Sequence, residues 1–161
     1  MVNELSEEAM NAVWTTYIEA YPVPARRHWA QVLLLGDGLV LGATGLVQAG
    51  FDLAGYFFNL GPLAAALHGN PDALAYFEAH ALAVLAAVLL IANHRTAGAG
   101  WNWAAAAIHL LLGGANLLFW PTFVAYDLVP MGIVATSGHA LLLGLELVAA
   151  GARSAPDKRR R

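Results

Sequence analysis

Residues Pro130 to Gly151, PMGIVATSGHALLLGLELVAAG, are long enough to cross a bilayer, yet they carry His139 near their middle and Glu146 further on. A hydrocarbon layer of ~30 Å takes about 20 residues of helix. An ionisable side chain at that depth is costly in lipid and must face a partner, a cofactor or water. Three earlier apolar runs repeat the pattern, with Asp37, His80 and His109 as their polar groups. The runs cover residues 29–51, 72–93, 102–120 and 130–151. Together they predict an all-α integral membrane protein, a four-helix bundle of four transmembrane helices, with an amphipathic helix before it.

The composition agrees. Of 161 residues, 59% are hydrophobic and 12% charged, where soluble domains carry about 25% charge. With no cysteine, the chain has no disulfide framework, thiolate metal site or covalent haem attachment. A bound metal or haem would rely on His, carboxylate, Met or Tyr. The acidic start, with Glu4, Glu7 and Glu8, lacks the basic-then-apolar order of a secretory signal, so no cleaved leader is expected.

Outward from these runs, residues 1–25 read as an interfacial or cytoplasmic amphipathic segment. Ser6 is an N-cap, and Met10, Val13, Trp14, Tyr17, Ile18 and Tyr21 fall on one helical side. Such a helix could lie in the headgroup plane, although its acidic polar face departs from the Lys- and Arg-rich face of lipid anchors, and docking on a partner subunit is the equal alternative. Residues 26–152 hold the bundle, and 153–161 form a basic tail expected to be disordered. In the first run Gly38 and Gly42 are spaced for close helix contact, or for approach of a flat ligand. Asp37, Thr44 and Gln48 share its stripe. Residues 52–69 form the longest connection, with Tyr56, Phe57 and Phe58 as an interfacial belt and a short surface helix closed by Gly69. His68 there is expected to be solvated. Asn70, Pro71 and Asp72 start the second run. In it His80 and Glu78 lie about 160° apart, so Glu78 is not a co-ligand of His80.

All eight basic residues sit on one side of the predicted spans: Arg26, Arg27, Arg95, Arg153, Lys158 and Arg159 to Arg161. The positive-inside rule then places both termini in the cytoplasm. The Ala, Gly, Leu and Arg bias points to a bacterial-type inner membrane. Lipid and a further membrane subunit or second copy are the expected partners; the basic tail is too short to argue for nucleic acid, which is not expected.

Counting ~1.5 Å per residue from the cytoplasmic ends puts His139 at about 18 Å and His80 and Asn116 at about 21 Å. By the same count Asp37 and His109 lie at about 10 Å and Glu146 at about 8 Å. The outer group predicts a haem b with His80 and His139 as axial ligands and Asn116 nearby, its ring lying against Gly42 and Ala87. Such a protein would transfer electrons or sense redox state. The inner group, Asp37, His109 and Glu146, suits a proton path, although Glu146 could instead snorkel to the surface. Two alternatives stand beside haem. The histidines could form a metal or quinone site, or serve only as hydrogen-bonded packing, at ~0.6 kcal/mol each, in a non-catalytic accessory subunit or assembly factor. Whether the chain is an enzyme is left open, since neither a phosphate loop nor a hydrolase motif is present.

Overall fold

The structure is a computed structural model that describes residues 25–95 and 98–154. The expected amphipathic helix and most of the basic tail lie outside the described residues. Among the described residues six helices follow in order: α1 Ala25–Phe58, α2 Ala64–Leu67, α3 Ala73–Asn93, α4 Ala99–Leu118, α5 Trp120–Ala125 and α6 Val129–Ser154. The four long ones make the bundle. Among the described residues there is no strand.

α1 is longer than its predicted span. It continues through Asp52 to Phe58, because neither Gly50 nor Gly55 breaks a run that keeps its apolar three-and-four spacing. Residues 52–58 are therefore helix rather than connection. The helix stops at Asn59, whose positive φ of 55° gives the left-handed cap that lets its N–H reach Gly55 O at 3.2 Å. α2 then tucks in, with Leu63, Ala66 and Leu67 buried against Ala73 and beside Tyr76, Leu128 and Met131. It is a plug at the end of the bundle rather than a surface helix. His68 is tied to this end by Nδ1 against Tyr56 O at 3.1 Å. Asn70 Oδ1 accepts from the Asp72 N–H at 3.0 Å in a turn, and α3 begins after it at Ala73 rather than at Pro71.

α4 ends at Leu118 rather than Trp120, since Pro121 has no N–H to continue the ladder to Leu117 O and instead occupies the first turn of α5. Asp127, with φ 57°, closes α5: its N–H bonds Val124 O and the Leu128 N–H bonds Phe123 O, the paired bonds of a Schellman cap. α6 carries helix to Ser154, past the predicted boundary at 151.

α1 and α3 pack antiparallel along a seam of small residues. A Cβ on Gly38 would sit 2.8 Å from Ile91 Cγ1, and one on Gly42 would sit 3.2 Å from Ala87 Cβ. Gly45 lies equally close to Val84 and to His80 O. Close helix contact is thus what the glycine spacing encodes, and Gly42 and Ala87 fill each other's space. α4 and α6 form a second antiparallel pair, which α1 joins to the first. Leu34, Leu41, Ala87, Leu90 and Ala105 make the apolar core between them.

The polarity of the bundle is inverted. Its largest fully buried side chains include His109, Glu146, Asn102, Asp37 and Asp52, whereas Leu111, Leu118 and Val134 are more than 70% exposed. Three helical stretches, His28–Phe58, Ala73–Asn93 and Val129–Arg153, are long and apolar enough to cross a membrane. α4 has the length at 20 residues, but Asn102, His109 and Asn116 dilute its hydropathy.

Candidate functional site

Seven residues advance a helix by two turns, about 10 Å, and return to nearly the same face. That spacing recurs on three helices: Ala30 to Asp37 on α1, Asn102 to His109 on α4, and His139 to Glu146 on the oppositely directed α6. The result is two polar levels. In the lower one, Asn102 Nδ2 donates to Glu146 Oε2 at 2.5 Å, and Ala30 O lies 3.5 Å from the same amide nitrogen. In the upper one, His109 Nε2 meets Asp37 Oδ1 at 2.8 Å and His109 Nδ1 meets His139 Nδ1 at 2.9 Å.

The upper level is a linear chain, Asp37–His109–His139, joining α1, α4 and α6. Asp37 and His109 are each 1% exposed, while the His139 ring is half-buried. An ionised carboxylate only accepts, so His109 Nε2–H donates to Asp37. With both rings neutral, His139 Nδ1–H donates to His109 Nδ1. A proton added at His139 Nε2 lets the shared proton cross to His109 Nδ1, which leaves an imidazolium against the Asp37 carboxylate. The heavy atoms need not move. Asp37 Oδ2 has no hydrogen-bond partner among the described residues, so the carboxylate keeps capacity for a further donor. The hydroxyl of Thr136, about one turn from His139 on α6, is likewise buried without one.

This grouping corrects the depth estimates. His139 is level with His109 rather than about 8 Å further out. The estimates assumed that all helix ends were flush, but α6 overhangs the start of α4: Arg153 Nη1 reaches across to Gly98 O at 3.3 Å, spanning the offset with its side chain. Glu146 does not join Asp37 and His109, and is held by Asn102 instead. It is fully buried, so it does not snorkel. Asn116 stands two turns beyond His109 and makes no hydrogen bond among the described residues. Thr44 is exposed, and its hydroxyl bonds Val40 O at 2.8 Å. Glu78 keeps to a different side of α3 from His80, as its angle on the helix requires.

His80 belongs to a third pair. Its Nδ1 lies 2.5 Å from Asp52 Oδ2, with Asp52 1% exposed and His80 20%. Asp52 and Asp37 are fifteen residues apart on one helix, about 22 Å. His80 and His139 are therefore anchored at different levels. Asp52 and Asn102 were missed in the sequence, although each carried a signal. Asp52 falls on the buried side of α1 with Asp37, and Asn102 precedes His109 by the interval that separates His139 from Glu146.

The chain matches no known family, curated protein or solved structure. Chemistry here rests on geometry alone. Among the described residues no three His, Asp or Glu side chains gather round a common point as metal ligands would; the central three are strung in a line.

Proposed function

We propose that this chain is a multi-pass membrane protein whose centre, Asp37–His109–His139, takes up a proton and passes it along. The observation that carries the proposal is the chain of two hydrogen bonds at mid-helix, held by three different helices and ending in a buried carboxylate. Leu-rich outer faces around a polar interior support the membrane setting, since lipid rather than water suits that inversion. We further propose that α4 crosses with the other three long helices, because it pairs with α6 along its length. With basic residues on one side, both termini face the cytoplasm of a bacterial-type inner membrane. Glu146 and Asn102 then lie on the cytoplasmic side of the relay, one proton station closer to water.

Proteoliposomes with an internal pH dye and an imposed membrane potential test this. Wild-type protein should carry protons faster than empty vesicles, and Asp37→Asn or His139→Ala should slow the flux about tenfold or more, the loss expected when a positioned proton-transfer group goes. Flux equal to that of empty vesicles would leave the polar groups with a packing role in an accessory subunit.

A haem b between His80 and His139 suits this arrangement less well. One iron needs two ring nitrogens about 4 Å apart, twice a typical metal–nitrogen bond, while the carboxylates that hold these rings are four turns apart on α1. The seam where the ring would lie is filled by the Gly42–Ala87 contact. An absorbance spectrum of the purified protein decides between them, since reduced Soret and α bands would favour haem.

A further inference from the structure

The Asp52–His80 pair has no place in the relay, yet it borders a groove. Near the outer end of the bundle, α1 and the start of α3 enclose about 410 Å³ lined by Asp52, Tyr56, Phe57, Leu74 and Phe77, among others. That volume lies in the range of small-molecule sites. The lining is apolar and largely aromatic apart from one carboxylate. Asp52 Oδ2 is taken by His80, but Oδ1 is buried and has no hydrogen-bond partner among the described residues. An ionised carboxylate can only accept, so what it lacks is a donor. His80 fixes the orientation of the carboxylate and leaves the other oxygen, on a residue that lines the groove, without a donor. Phe57 and Leu74 at the rim are both 62–63% exposed, so the groove opens sideways, toward the surface that would face lipid.

We propose that this groove binds a lipophilic molecule with a single-ring head that donates one hydrogen bond to Asp52 Oδ1. The donor is a phenolic or hydroquinone O–H or the N–H of an amine. The ring packs between Tyr56, Phe57 and Phe77, and the tail leaves along the open side. The site is separate from the proton relay and rests on the proposed membrane setting, since lipid would deliver the ligand.

The test uses full-length protein in phosphatidylcholine nanodiscs and three probes: 4-hexylphenol, its methyl ether 4-hexylanisole, and 4-hexylbenzylammonium. Empty nanodiscs give the background of simple partition. The phenol or the ammonium should bind above that background, and whichever binds identifies the donor. The methyl ether should bind about ten- to a hundredfold more weakly than the phenol, the worth of a hydrogen bond to a charged acceptor. Asp52→Leu should abolish the preference for donors. Leu74→Trp, which fills the groove and leaves the Asp52–His80 pair intact, should remove binding of every probe. Equal binding of phenol and ether without excess of the ammonium, binding no higher than in empty nanodiscs, or binding unaffected by Leu74→Trp would overturn the assignment. Insertion is scored separately. Protein that fails to enter the discs contradicts the membrane setting, and inserted protein with no preference for donors contradicts the groove alone.

Discussion

His109 engages both ring nitrogens, one with Asp37 and one with His139, so its loss should be felt twice. His109→Ala leaves a buried carboxylate without its partner and should cost about 3–5 kcal/mol, the usual penalty for breaking a buried charged pair. His139→Ala removes one hydrogen bond from a half-buried ring and should cost about 1–2 kcal/mol. Asp37→Asn keeps an acceptor for His109 while removing the charge that stabilises an imidazolium, so it should fold and yet fail as a proton acceptor. Unfolding midpoints in mixed micelles measure the first two effects. Equal losses for His109→Ala and His139→Ala would contradict the chain as described. At this scale the sequence was informative about residue type and much less so about pairing. His80, His109 and His139 each meet a residue on another helix, and which residues meet depends on how far one helix slides along the next. Asp37, His109 and His139 were all visible as polar groups within apolar runs, but their common level was hidden by the overhang that Arg153 bridges.

The elements themselves were read more reliably, because length, hydropathy and caps are local properties. The cap and turn residues Asn70 to Asp72 bring the start of α3, at Ala73, to within a few residues. The end of α1 was less legible, since the ~20 residues that cross a bilayer put the span's end at residue 51, whereas the apolar spacing keeps residues 52–58 helical. Glycines two residues apart on this helix should behave differently. A Cβ added at Gly36 would meet nothing within 4 Å, so Gly36→Ala should stabilise by up to about 1 kcal/mol through helix propensity. Gly38 faces Ile91 and the Ala87 carbonyl across the seam, so Gly38→Ala should cost about 1–3 kcal/mol as overpacking. Thermal denaturation in detergent would check the pair. Matching effects would mean that α1 and α3 are not in close contact.

For the whole molecule, the one-sided basic residues and the inverted polarity lead to a specific topology. Reporter fusions after residue 70 and after residue 125 should mark the outside, and fusions after residue 97 and at the C terminus the inside. An odd number of crossings would show that α4, the long helix that falls short of the other three in hydropathy, does not span. The all-helical class was legible because long apolar runs with three-and-four spacing leave few other folds, while the way α1 joins two helix pairs is set by contacts far apart in the chain. The central claim is that His109 and His139 share one proton in a bond held by Asp37, and ¹⁵N NMR of side-chain-labelled protein in lipid addresses it most directly. A nitrogen–nitrogen coupling across the N–H···N bond between His109 Nδ1 and His139 Nδ1, lost in His139→Ala, is the expected result; two rings with no mutual coupling that titrate independently would contradict it.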